Sequence, residues 1–194
     1  MENKITLVGK NIEQLETFML ANNQSKYRAK QVYNWLYLKS VPNYDLMTDL
    51  PLSARELLKE RTKLCSIFIK DKQVSKDGTI KYLFEHNDGT YAEAVLMRFD
   101  NRANLTACVS SQVGCAVNCS FCATGKKGFV RNLSYKEIIE QVLTIQRDTG
   151  LKVTNIVFMG QGEPLDNYNN VVKALEIINK NLQIIKQNLK DFIK

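Results

Sequence analysis

No apolar run in this 194-residue chain approaches the ~18 residues that cross a membrane as a helix. The N-terminal Met-Glu-Asn-Lys is not followed by the apolar stretch of a signal peptide, so a cytoplasmic chain without a membrane partner is expected. Internal repeats and low-complexity segments are absent too. So is a basic arm, although 27 Lys and Arg outnumber 20 Asp and Glu. The net charge of +7 permits a nucleic-acid partner without requiring one. With 44% apolar and 24% charged residues, the composition is that of a globular protein of one or two domains.

Two further absences are local. No acidic residue lies between Asp100 and Glu137, while Arg102, Lys126, Lys127, Arg131 and Lys136 fall inside that window. A solvated surface is one reading. A positive field suited to a polyanion or an anionic cofactor group is the other. The five cysteines, Cys65, Cys108, Cys115, Cys119 and Cys122, do not form the even set of a disulfide framework. Three of them crowd into eight residues, which in a cytosolic chain points to metal binding or catalysis.

What is present reads in three parts. Residues 1–65 carry helical apolar spacing at Ile12, Leu15, Phe18 and Met19, and again at Tyr27, Val32, Tyr33, Leu36 and Tyr37. A third helix is expected over Leu52–Leu64, after Pro51. Residues 66–103 read as a β-meander of strands Ser66–Lys70, Thr79–Glu85 and Thr90–Phe99, with hairpin signals at Asp77-Gly78 and Asp88-Gly89. Residues 104–194 alternate. A strand at Leu105–Ser110 leads to a long loop, and Ser134 with Glu137 has the capping-box spacing of a helix running to about Asp148. Val153–Met159 is nearly unbroken apolar sequence, as in a strand buried on both faces, and another helix starts near Tyr168. Such alternation implies a parallel α/β sheet or barrel. Residues 179–194 read as a further amphipathic helix.

The chemistry concentrates in two motifs. In Cys115-Ala-Val-Asn-Cys119-Ser-Phe-Cys122, three thiolates of one loop can face one centre. Three ligands leave a position open, which suits an iron–sulfur cluster with one reactive iron. Zinc is the competitor and would need a fourth ligand, from Cys108, Cys65 or His86. The second motif, Met159-Gly160-Gln161-Gly162-Glu163-Pro164-Leu165, follows a strand directly. Its glycines let backbone approach a ligand. Leu165 stands where a dinucleotide loop needs a third glycine, so that reading fails. Glu163 instead offers an acceptor for an ammonium group at a strand's C-terminal end. A plain tight turn is the alternative.

Together the motifs resemble radical S-adenosylmethionine (SAM) enzymes, and the resemblance narrows to the RlmN/Cfr family of RNA adenine methyltransferases. It is carried by residues 108–122 (Cys-Val-Ser-Ser-Gln-Val-Gly-Cys-Ala-Val-Asn-Cys-Ser-Phe-Cys), Gly128–Leu133, Asn155–Gly160 and Gly162–Leu165. Tyr27–Gln31 and Met47–Pro51 resemble the family's accessory domain, and Pro164 favours the RlmN branch. The resemblance implies a helical accessory domain and short β-meander before the first two βα units of a partial (β/α)6 barrel. It implies that Cys115, Cys119 and Cys122 hold a [4Fe-4S] cluster, with SAM on the open iron and Gly162 and Glu163 on SAM. Phe121 would lie beside the adenine of SAM. Glu93 would be the proton acceptor, and Cys108 would form the transient disulfide that releases methylated RNA. The implied reaction methylates adenine C2 of 23S rRNA and tRNA by a monomer fed by an external electron donor. A 5′-deoxyadenosyl radical would take hydrogen from a methyl group carried by a C-terminal cysteine. Adenine C2 is electron-poor, so a radical route replaces ordinary methyl transfer.

The chain also departs from that pattern. Only 72 residues follow Cys122, none of them cysteine, so the methyl carrier and later SAM contacts are expected beyond residue 194. A catalytically dead product that keeps cluster or RNA binding is the alternative, and a zinc-binding RNA module the third reading. The half-barrel would leave Val153–Met159 as an unpaired sheet edge.

Overall fold

A computed structural model describes residues 4–99 and 102–182. The chain divides into two compact units between Ser66 and Ile67.

The first unit is helical. Helix α1 (Ile12–Ala21) opens on a capping box in which Asn11 and Gln14 satisfy each other's backbone N–H groups. Helix α2 (Arg28–Tyr33) runs on into a wider π-helical turn, Asn34–Leu38. That turn buries Leu36 and Tyr37, and the Tyr37 hydroxyl accepts from Gly9 N–H at 2.8 Å and donates to the Lys10 carbonyl. Two segments singled out in the sequence lock onto each other: Gln31 donates to the Asp49 carbonyl, and Trp35 Nε1 donates to the Asp49 carboxylate at 2.5 Å. Helix α3 (Leu52–Arg61) is shorter than its spacing predicts. Thr62 and Lys63 (β2) leave it to pair in parallel with Ile5 and Thr6 (β1).

The second unit is α/β. Strands β3 (Ile67–Val74), β4 (Ile80–His86), β5 (Tyr91–Phe99) and β6 (Arg102–Cys108) form an antiparallel meander. Strands β7 (Gln112–Gly114) and β8 (Phe129–Asn132) make a separate small hairpin, with one helical turn between them, α4 (Ala123–Lys126). Helix α5 (Tyr135–Thr149) follows. Strand β9 (Asn155–Val157) then joins β6 in parallel and ends the sheet order β3-β4-β5-β6-β9. After a 3₁₀ turn (Pro164–Asn167) comes helix α6 (Tyr168–Leu182). Part of the segment expected as a last amphipathic helix belongs to α6; the rest lies outside the described residues.

Strand alternation gives the sheet two unlike faces. Tyr82, Phe84, Ala92, Ala94, Leu96, Ala107 and Val109 are all buried on one face. Helix α5 lies along it, pinned at both ends: Glu137 meets His86, and Asp148 accepts from Tyr82 Oη at 2.9 Å and from Lys72. Burying Tyr82 or Phe84 there contributes about 2–3 kcal/mol each. The other face carries Lys81, Glu93, Val95 and Cys108, none of them fully buried.

Candidate functional site

Because β6 and β9 are parallel, their C-terminal ends lie at the same edge of the sheet. Ligands bind at such edges in α/β folds. Cys108 is the last residue of β6, half-buried and cross-strand from Val95. Burial pushes its thiol up, while a hydrogen bond from the Met159 backbone opposes the shift. Glu93 sits two residues before Val95, hence on the same face as Cys108. Its carboxylate pairs with Lys81 at 2.9 Å, and its carbonyl accepts from Ser110 Oγ at 2.5 Å.

The cysteine loop is closed by glycines. Gly114, at φ +75°, lies so close to β8 that a Cβ would stand 1.9 Å from the Gly128 oxygen. Cys115 N–H donates to that same oxygen at 3.2 Å. Asn118 takes a left-handed φ of +53°, and Gly125 of α4 passes it closely, so that a Cβ there would stand 3.0 Å from the Asn118 Cα. Cys122 N–H donates to the Cys119 carbonyl, and Cys122 then precedes α4. Backbone N–H groups of Gly125 and Thr124 lower the Cys122 thiol toward its charged form. All three cysteines are partly exposed, and Phe121 is 89% exposed, so it is not a core aromatic.

The second loop is laid against residues 109–112. Gly160 N–H donates to the Val109 carbonyl, and the Gln161 carbonyl accepts from Ser111 and Gln112. Gln161 N–H donates to Ser110 Oγ at 2.8 Å. A Cβ on Gly160 would meet the Val109 carbonyl at 2.7 Å, and one on Gly162 (φ +97°) would meet Gln112 Cβ at 2.5 Å. Only glycine fits either place. The glycines are thus required by the packing of the loop on residues 109–112. Glu163 N–H donates to Gln112 Oε1, while its Oε1 accepts from Leu165 N–H and caps the 3₁₀ turn.

Beneath both loops lies a buried polar cluster that sequence reasoning missed. Ser110, Ser111, Gln112, Gln141 and Asn167 are all nearly inaccessible. Gln141 exchanges two hydrogen bonds with the Ser110 backbone, and Asn167 Nδ2 donates to the Ser111 and Leu133 carbonyls. Ser111 Oγ has no hydrogen-bond partner among the described residues. A signal existed: Gln141 interrupts the apolar face of α5 between Ile138, Ile139, Val142 and Leu143, where only a partnered polar group is tolerated.

Three expectations are corrected. The acid-free window in sequence is not acid-free in space. Arg131 binds Asp88 at 2.6 Å and Glu137 at 2.8 Å, so it adds no free charge to a positive field. Burial of Glu137 favours the neutral acid, but His86, Arg131 and Ser134 outweigh it and hold the carboxyl well below its usual range. His86 is no fourth zinc ligand, because its wholly buried ring faces Glu137 at 3.0 Å. Nor is the disulfide implied for Cys108 formed: all five cysteines are free.

The residues suit an iron–sulfur cluster by donor chemistry. Three soft thiols share one glycine-closed loop, and backbone N–H groups lower one of them, Cys122. Among the described residues no three His, Cys, Asp or Glu side chains converge as metal ligands, so the match lies in the loop and not in converged sulfurs. No helix among them is long and apolar enough to cross a membrane.

Residues 109–192 match the Radical SAM superfamily, and residues 5–64 match the ribosomal RNA large subunit methyltransferase N-terminal domain. A probable dual-specificity RNA methyltransferase RlmN of Alkaliphilus oremlandii is 45% identical, covering 91% of this chain and 51% of the relative. The dual-specificity RNA methyltransferase RlmN of Geobacter sulfurreducens is 43% identical, covering 92% and 48%. A radical SAM methyltransferase from Sphaerobacter thermophilus, a crystal structure, superposes with a TM-score of 0.82 at 40% identity, covering 90% and 52%. The chain belongs to the RlmN family of radical SAM RNA methyltransferases. It spans about half the length of the curated relatives it matches.

Proposed function

We propose that this chain supplies the cluster loop, the SAM amino-group loop and the accessory unit of an enzyme that methylates adenine C2 in 23S rRNA and tRNA. One observation carries the reading: the Gly160–Pro164 loop is held to the buried segment 109–112, which runs on through β7 into the Cys115–Cys122 loop, just past the edge where parallel β6 and β9 both finish. That edge would be part of a partial (β/α)6 barrel. Cys115, Cys119 and Cys122 would hold the [4Fe-4S] cluster, and Gly162 and Glu163 the amino group of SAM. Glu163 uses Oε1 as a backbone cap, and its other carboxylate oxygen would take the ammonium. The cluster and SAM supply one-electron reductive chemistry when bound. Glu93 would accept the proton lost from the adenine, from the open face that it shares with Cys108. The partners would be rRNA, tRNA and an external electron donor.

The test is anaerobic loading with iron and sulfide. The chain is expected to take up about four of each, and Cys122→Ala to lose most of the iron. Zinc bound in place of iron and sulfide would sink the reading. No cysteine follows Cys122, so these 194 residues alone are expected to bind cluster and SAM without methylating RNA.

A further inference from the structure

Gln112 stands where three parts of the site meet. It is 2% exposed, on β7, three residues before Cys115. Its Oε1 accepts from Glu163 N–H at 2.9 Å, and its Nε2 donates to Asn132 Oδ1 of β8 at 2.8 Å. Its backbone N–H donates to the Gln161 carbonyl at 3.2 Å. Its Cβ and Cγ fill the space where a Gly162 side chain would be, 2.5 and 2.7 Å from that ideal Cβ. One side chain thus touches the backbone of both residues assigned to the amino group of SAM.

We infer that Gln112 is the positioning residue of the SAM amino-group subsite, fixing the Gly162–Glu163 backbone to the strand that leads into the cysteine loop. The inference rests on the proposed SAM reading of that loop. The physical need is clear. Glycines flank Gln161, and glycine leaves the backbone more conformations than any other residue. Holding Glu163 in one place before the ligand arrives removes an ordering cost from binding. The Gln112 oxygen does this by satisfying the Glu163 N–H. Without it, that donor stays unpaired unless the loop moves.

Two substitutions separate the oxygen from the bulk of the side chain. Gln112→Met keeps length and packing but has no good acceptor, whereas Gln112→Glu keeps the acceptor. The whole chain, loaded anaerobically with iron and sulfide, is titrated with SAM by calorimetry while iron is counted. Gln112→Met is expected to hold wild-type iron and bind SAM about tenfold more weakly. Gln112→Glu is expected within about threefold of wild type. Equal affinity in Gln112→Met and wild type overturns the inference, as do equal losses in both variants. If Gln112→Met also loses iron, hydrogen exchange at the Glu163 amide decides. Protection lost in Gln112→Met but kept in Gln112→Glu supports the inference, and unchanged protection overturns it. A wild-type chain that takes up iron and sulfide but no SAM overturns the SAM reading itself, and the inference with it.

Discussion

Gly114 and Gly89 share a left-handed backbone, with φ of +75° and +77°, yet their surroundings differ. A Cβ at Gly114 would collide with the Gly128 carbonyl, whereas nothing lies within 4 Å of one at Gly89. Gly89→Ala is therefore expected to cost about 1 kcal/mol, the conformational term alone. Gly114→Ala should cost well over about 2 kcal/mol and open the cysteine loop. Urea unfolding of the two variants checks the ranking. Cysteines can be ranked similarly. Cys122 is lowered by backbone N–H groups, and Cys108 is raised by burial. In the iron-free chain at neutral pH, iodoacetamide should label Cys122 well before Cys108, read by peptide mass spectrometry. The glycines and cysteines of both loops were legible in the sequence because their residue types are restrictive. Gln112 was not, since a glutamine beside a motif carries no local signature. Its importance lies in a neighbour 51 positions away.

Helix α5 shows what local sequence can and cannot carry. Its start at Ser134–Glu137 and its stop at Gly150 were plain from capping chemistry, and both ends stand where expected. The second role of Glu137 was invisible, because His86 and Arg131 reach it from other strands. Glu137 lies well below its ordinary value and Asp88 is lowered to about 2, so both contribute stability above their unfolded pKa values. That stability is lost as pH falls through the folded values, from about pH 5 downward past pH 2. Asp88 is about half exposed and contributes less, because solvent screens it. Glu137→Gln keeps a capping-box residue and removes the charge. It should flatten the fall in stability between about pH 5 and pH 2, measured by urea unfolding across that range. Hairpin β7–β8 was also missed. Its strands have three and four residues with the whole cysteine loop between them, too short and too far apart for an alternation signal. Strand β9 takes only Asn155–Val157 of the apolar run Val153–Met159, and it is half-buried rather than buried on both faces because it ends the sheet.

At the scale of the molecule, the division between Ser66 and Ile67 carries its own expectation. The first unit has a core of Leu7, Leu15, Met19, Leu36, Met47, Leu50 and Leu58, all buried. Residues 1–66 made alone should give a helical circular dichroism spectrum and a cooperative thermal transition; a coil spectrum would show that the unit needs the rest of the chain. In the second unit the meander was legible from its short β-branched runs and its Asp-Gly turns, but not that it shares one sheet with β6 and β9. That both candidate loops leave the same edge of it follows from the parallel pairing of β6 and β9, a non-local fact.

The two bonds between Gln141 and Ser110 have a consequence for how the sheet ends. A primary side-chain amide carries a donor and an acceptor side by side, able to face the N–H and C=O of one residue. By giving its oxygen to Ser110 N–H and its N–H to the Ser110 carbonyl, Gln141 acts as a strand one residue long, lent by a helix. The peptide of Ser110 is thereby satisfied without a further neighbour in the ladder. The chain can leave the sheet there, dry and fully bonded, and turn toward the cysteines.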